Sequence, residues 1–409
     1  MTSELTTHTD FDAIGVPADL SALLADQGIT EPFPIQVMAI PDAMEGRDIL
    51  GKAKTGSGKT LAFGLPIIAN LEKAERKRPR ALVLVPTREL ATQVMAHLQP
   101  LAASRGFSTI TVYGGSSMRD QIDALDAGVE LMIATPGRLI DLMERRKVDL
   151  RDISKVAIDE ADQMADMGFM PQVRKIMDQV PKNHQTYLFS ATLDLQVREL
   201  VDRYLHDPVH HEVESPHETV EGMEHRFLKV HQMDKVKVAA EISRGSARTL
   251  MFTRTKWQAD RLAKDLRAEG VGAVAIHGDL PQVKRERSLE RFSKGEAPVL
   301  VATNVAARGL DIEGVDIVLH FDPPDDPKTY LHRSGRTARA GESGLVVTLV
   351  EWDQVNEVLG IQRRAGLNVP IIKMFSNDER LADLTTWEPP DELAPFKPGS
   401  QRRKHRRRR

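Results

Sequence analysis

The chain is 409 residues long, 41% hydrophobic and free of cysteine, with a formal net charge of -3 at pH 7. That length supports two or three buried cores, and the missing cysteines exclude disulfides, thiolate metal sites and a cysteine nucleophile, as suits a reducing cytosol. The opening "MTSELTTHTDFDAIG" has neither a basic n-region nor an apolar h-region, and no run approaches the roughly 18 apolar residues of a membrane span, so a cytoplasmic location is expected.

In chain order, "RDILGKA", "RALVLVP", "STITVYGG", "VELMIATP", "SKVAIDEA" and "QTYLFSAT" predict strands separated by amphipathic helical stretches. Continuous apolar strands with helices between them imply parallel sheets covered on both faces. After the helical "LDLQVRELVDRYL" the periodicity lapses through "HDPVHHEVESPHETVEGME", which reads as a linker. Alternation resumes with "HRFLKV", "ARTLMFT", "VGAVAIHG", "APVLVATN", "VDIVLHFD" and "SGLVVTLV", and two similar α/β halves suggest a cleft. From about 376, "SNDERLADLTTWEPPDELAPFKPGS" is rich in Pro and acid and is expected to lie over the surface or stay disordered. The expected divisions are 1–206, a linker 207–222, 223–375 and an extension 376–409. Its end, "RRKHRRRR", holds seven Lys and Arg, which leaves -10 on residues 1–401. Such a self-repelling run is expected to be disordered and to tether nucleic acid through its phosphates.

Between a predicted strand and a predicted helix lies "KTGSGKT", residues 54–60. Glycines there let backbone N–H groups turn toward phosphate oxygens, and the helix N-terminus adds positive potential. Ala53, Lys54, Thr55, Gly56, Ser57 and Gly58 form this loop, with Ala53 where the strict pattern has Gly. Lys59 would hold the β and γ phosphates and Thr60 a Mg2+ ion. The strand "SKVAI" ends in Asp159, Glu160 and Asp162. An acid at such a strand end can hold Mg2+, so Asp159 joins Thr60 as a metal ligand, and its neighbour Glu160 can orient an attacking water or take its proton.

Asp159-Glu160-Ala161-Asp162 spells D-E-A-D, and from about residue 11 to 372 the chain resembles the DEAD-box RNA helicases. The resemblance implies two tandem RecA-like domains, each a mostly parallel sheet covered by helices, and ATP with Mg2+ as cofactors. "GITEPFPIQ" is similar to the family's adenine-reading motif, with Gln36 specifying adenine and Phe11 stacking on it; Phe33 departs from the usual Thr. "PTRELA", "GG" and "TPGR" resemble the family's RNA-lining motifs, which assigns Pro86, Thr87, Arg88, Gly114, Gly115, Thr135, Gly137 and Arg138 to RNA. Chemically, the arginines suit phosphates and the hydroxyls suit sugar or phosphate. "SAT" gives Ser190 and Thr192, which by resemblance couple nucleotide state to RNA together with Asp162 and His332.

In the second half, "LMFTRTK", "HGDLPQVKR", "VATNVAARGLDI" and "HRSGRTARAG" resemble later family motifs. They imply RNA contacts at Arg254, Gln282 and Thr303, a ribose contact at Asp311, and γ-phosphate fingers at Arg336 and Arg339. Arg333, Arg336 and Arg339, three apart, share one face if the stretch is helical. Hydrolysis should then require closure of the two halves. Asn304 stands where the family has Asp, Ser334 where it often has Ile, and Ala338 where Gly is common. Met164, Met167 and Met170 read as packing, and Trp257, Trp387 and Tyr330 are too scattered for a base-stacking platform. The expected function is ATP-dependent remodelling of RNA with little sequence preference; the alternatives are an ATP-gated RNA clamp or a DNA translocase.

Overall fold

The computed structural model describes residues 10–53, 56–213, 223–307, 312, 315–337, 344–390 and 394–395. The chain divides near residue 215 into two compact units. In the first, β1 (Ile49–Lys52), β2 (Ala81–Leu84), β3 (Thr109–Val112), β4 (Leu131–Ala134), β5 (Lys155–Ile158), β6 (Gln185–Ser190) and β7 (Val209–Glu212) form a sheet in the order β3-β4-β2-β5-β6-β1-β7. Every pairing is parallel. Central strands β2 and β4 are buried at every residue, because helices cover both faces, whereas edge strands β3 and β7 alternate between more and less accessible positions. Successive strand residues feed opposite cores: Val83, Ile133 and Ala157 enter one, Leu82, Leu84, Met132 and Ile158 the other.

The second unit contains β8 (Met223–Lys229), β9 (Thr249–Thr253), β10 (Ala273–Ile276), β11 (Val299–Thr303), β12 (Ile317–His320), β13 (Gly344–Val350) and β14 (Ile371–Lys373), ordered β10-β11-β9-β12-β13-β8-β14. Its pairings are parallel too. Adding seven to each strand number of the first order gives the second, so the repeat in this chain is the whole unit. Tyr330 is buried in this unit, with its ring stacked on Phe227, which fits a packing role.

Two segments differ from the sequence reading. The stretch read as linker includes β7, whose Val209 N–H donates to the Asp48 carbonyl at 2.8 Å and which pairs with β1. "VHHE" carries too little apolar signal to announce a strand; backbone bonding to an existing sheet edge makes it one. The acidic segment after 376 is partly docked: Leu381 and Leu384 are buried in the second unit's core, Ser376 bonds Asp234, and Arg226 Nε donates to the Trp387 carbonyl at 2.9 Å. Residues 214–222 and the tail 402–409 lie outside the described residues. No described helix is long and apolar enough to cross a membrane.

Candidate active site

The site loops follow the carboxyl ends of the first unit's strands, where parallel sheets place ligands. β1 leads through buried Ala53, whose N–H donates to the Ser190 carbonyl at 3.1 Å, to the helix Lys59–Ala69. Gly58 caps that helix at φ 85°, a conformation that disfavours a Cβ. A Cβ there would also lie 2.5 Å from Gln36 Nε2 and 2.8 Å from the Phe33 ring. Gln36 is the reason for this crowding: its amide donates to the Gly58 carbonyl at 2.8 Å and accepts from Phe33 N–H at 2.8 Å. Each end of the amide makes one bond inside the protein, which orients it and leaves one N–H and one oxygen lone pair for a ligand. Phe11 is only 2% exposed and belongs to the first core, so its ring is not an open stacking face in this conformation. Lys54 and Thr55 lie outside the described residues, while Gly56 has φ 82°.

Lys59 is buried, with Nζ 3.7 Å from Asp159 Oδ1. Asp159 and Glu160 follow β5, and both are buried. Glu160 sits in the left-handed region at φ 52° and its N–H donates to Asp159 Oδ1 at 2.9 Å. Burial pushes the Asp159 carboxyl up to about 6; Lys59 opposes the rise, and Glu160 and Asp162 reinforce it. Two buried carboxylates beside one ammonium leave negative charge in a low-dielectric site, which is a donor set suited to a divalent cation. Asp159 with Thr60, the second residue of the loop helix, would hold it.

Asp162 serves a different purpose. Its Oδ2 accepts from Thr192 N–H at 3.1 Å and from the Thr192 hydroxyl at 3.2 Å, and its Oδ1 from Gln163 N–H at 3.0 Å. Ser190 Oγ accepts from Asp162 N–H at 3.2 Å and donates to the Thr192 carbonyl at 2.7 Å. Spacing alone gave Ser190 and Thr192 no chemistry; in the structure they fix the loop that carries the acids to the end of β6.

The remaining loops of this unit build a basic strip. Thr87 Oγ1 accepts from Leu90 N–H at 3.2 Å and caps the helix Arg88–Ser104, next to buried Pro86. Arg88 lies over the glycine pair: a Cβ on Gly115, at φ 88°, would stand 2.3 Å from Arg88 Nη1, and one on Gly114 3.6 Å from Nη2. Thr135 precedes the helix Pro136–Glu144, which carries exposed Gly137 and half-buried Arg138. Arg138 Nη1 donates to Gln121 Oε1 at 3.0 Å, and buried Gln121 donates in turn to Ser116 Oγ at 2.6 Å and the Tyr113 carbonyl at 3.2 Å. Gln121 was missed in the sequence, where a glutamine within a helix carries no signal of its task.

In the second unit, Thr303 ends β11 and Arg254 follows β9. Arg254 N–H donates to Asp322 Oδ2 at 2.9 Å, and its guanidinium pairs with Asp325 at 2.9 Å. Gln282 opens the helix Gln282–Ser293 and donates to Glu286 at 3.0 Å. The expectation of a shared arginine face fails. The helix Pro327–Ser334 stops at Gly335, so Arg336 lies beyond it and Arg333 points inward. Arg333 Nε donates to Asn304 Oδ1 at 2.6 Å, Nη1 to the Asp322 carbonyl at 2.9 Å, and the guanidinium covers the Phe252 ring at 5.0 Å. Asn304 thus keeps an acceptor opposite Arg333 without the charge. Ser334 donates to the Tyr330 carbonyl at 2.7 Å, and His332 is half-buried in the helix's last turn. Asp311, Ala338 and Arg339 lie outside the described residues.

A glycine loop after the first strand and paired acids after the fifth, on a parallel sheet edged with arginines, define a phosphate-loop nucleoside triphosphatase with a polyanion-binding surface. The DEAD/DEAH box helicase family matches residues 33–200, and the helicase conserved C-terminal domain matches residues 229–341. The DEAD-box ATP-dependent RNA helicase CshA of Bacillus subtilis is 37% identical over 91% of this chain and 75% of its own length. CshA of Geobacillus kaustophilus is 38% identical over 91% and 80%. The structure of S. cerevisiae Dbp5 bound to RNA and ADP BeF3 superposes with a TM-score of 0.80 at 28% identity, covering 92% of this chain and 98% of that one. The chain belongs to the DEAD-box ATP-dependent RNA helicases.

Proposed function

We propose that this chain hydrolyses ATP to remodel RNA locally, using the first unit's site for nucleotide chemistry and its basic strip for the sugar-phosphate backbone. The carrying observation is the buried cluster of Lys59, Asp159 and Glu160, tied through Asp162 to Thr192 and Ser190. Lys59 and the turned N–H groups of the glycine loop bind the phosphates. Asp159 and Thr60 would hold Mg2+, which would supply charge neutralisation on the phosphate oxygens. Glu160, held beside Asp159 by its own backbone, orients the attacking water and accepts its proton. Arg336 and Arg339 belong to the second unit's chain, so turnover is expected to need both units together, with the arginines stabilising charge spread in the transition state. Asp162 links the acid loop to the end of β6, a route by which nucleotide state and RNA binding affect each other. The cysteine-free composition supports a cytoplasmic location.

Steady-state ATP hydrolysis without nucleic acid, with RNA and with DNA of matched sequence tests this reading. RNA-selective stimulation supports it, and equal stimulation by DNA overturns the RNA preference. Tight ATP-dependent RNA binding with negligible strand release would instead identify a clamp.

A further inference from the structure

The first unit has a second concave site, of about 460 Å³, lined by Arg76, Lys77, Arg78, Arg146 and Arg151 against one carboxylate, Asp149. That volume is in the range of ligand pockets. Its residues belong to the turn before β2, the segment before β5 and the end of the helix region at Gln179 before β6. It therefore opens at the amino edge of the sheet, whereas the phosphate loop, the acids and Arg88 over Gly114 and Gly115 all follow carboxyl ends.

The backbone at two of these cations is unusual. Arg146 occupies the position just past the helix Pro136–Glu144, with its N–H bonded to the Met143 carbonyl at 2.9 Å and Lys147 N–H to the Leu142 carbonyl at 2.8 Å. This bonding pattern puts its next-to-last residue in the left-handed region and is normally completed by glycine. Here it is completed by an arginine at φ 55°. Lys77 has φ 59° in the turn joined to Leu125 and Asp149 by backbone hydrogen bonds of 2.8 Å each. Among described non-glycine residues, positive φ otherwise occurs only at Glu160 and Asp207. Lys77, Arg78 and Arg151 pair with Asp126, Asp152 and Asp149, whereas Arg146 has no carboxylate partner among the described residues. Buried Val148 and Leu150 stiffen the cavity wall beneath exposed Arg76, Arg146 and Arg151. A rim of exposed cations on a rigid floor suits successive phosphates of an extended chain.

We propose that this cavity is an auxiliary contact for the phosphate backbone of RNA lying outside the strand path, so that longer RNAs are held at both edges of the first unit's sheet. The proposal rests on the helicase reading above. Lys77 and Arg146 anchor it, and it reads no bases.

The test uses the full chain and the double variant Lys77→Gly with Arg146→Gly. Glycine accepts both left-handed positions, so the variant is expected to melt no lower than wild type. RNA affinity is measured across salt for a short strand just sufficient to stimulate hydrolysis and for the same strand extended. The variant should lose about tenfold in affinity for the extended strand, and its salt slope should fall by about 1.4, for two phosphates on a single strand. Short-strand affinity and RNA-stimulated hydrolysis should be unchanged. An extension effect kept in full by the variant overturns the proposal, as does an equal loss on short and extended strands. Protection of the cavity arginines from phenylglyoxal by inorganic pyrophosphate but not by extended RNA would overturn it in favour of a small anion. Missing RNA stimulation in the wild type would instead refute the helicase reading, and this proposal with it.

Discussion

Glu160 is held at φ 52° at the end of a buried strand, with its N–H spent on the carboxylate beside it. Backbone held in this region persists only when its surroundings over-determine it, and such residues cluster at functional sites. Glu160→Gln preserves size and backbone while removing the base, so it should retain ATP binding and lose turnover by at least a hundredfold. Undiminished hydrolysis by that variant would remove Glu160 from the chemistry. Gln121 shows a subtler dependence, because it is the buried acceptor that aims Arg138. Gln121→Leu should weaken RNA binding several-fold while leaving RNA-independent hydrolysis unchanged, read by RNA titration beside basal ATPase.

Single elements settle matters that residues alone leave open. The helix Pro327–Ser334 ends one turn earlier than the arginine spacing implies, since Gly335 follows and Ser334 turns its hydroxyl back on Tyr330. Arg333 becomes a structural cation on Phe252 and Asn304, leaving Arg336 as the more accessible arginine. The segment after 376 behaves similarly: two leucines in an acidic, Pro-rich stretch dock into the second unit's core. Leu381→Ala should cost about 2–3 kcal/mol of that unit's stability, measured by chemical denaturation. A change near zero would mean the segment rides on the surface.

Across the molecule, one strand order is used twice, and only the first copy carries a phosphate loop. The second copy buries His225 and His320 around Tyr330, with His225 Nδ1 2.6 Å from the Tyr330 hydroxyl and His320 Nδ1 3.1 Å from Thr348 Oγ1. Burial lowers His225 to about 4, helped by Arg226, and lowers His320 well below its usual value, helped by Arg333 and His225. Both are neutral when folded, whereas the unfolded chain takes up protons near 6.5. The stability they permit is complete above about 6.5 and is lost as pH falls from there toward 4, because the unfolded state binds more protons. At pH 5 His225 alone should cost roughly 2 kcal/mol, visible as a lower melting midpoint than at pH 7. A midpoint flat across that range would mean the histidines are solvated. At the other end, removing residues 401–409 should weaken RNA binding mainly at low salt and reduce the salt slope.

The sequence by itself determined six of the seven strands in each sheet, their parallel sense, the phosphate loop and the acids, because continuous apolar runs, glycine spacing and terminal carboxylates are local patterns. Family membership was legible for the same reason, since its motifs are short and ordered along the chain. The tertiary structure decided what depends on partners distant in sequence. It made β7 a strand by offering β1 as an edge, and gave Ser190 and Thr192 their work by bringing them to Asp162. It set Gln121 behind Arg138, closed Gln36 onto Gly58, and gathered cations from two separate segments into one cavity. Hydrogen bonds and charge pairs between residues far apart in the chain leave no periodic trace in it, so only packing could disclose them.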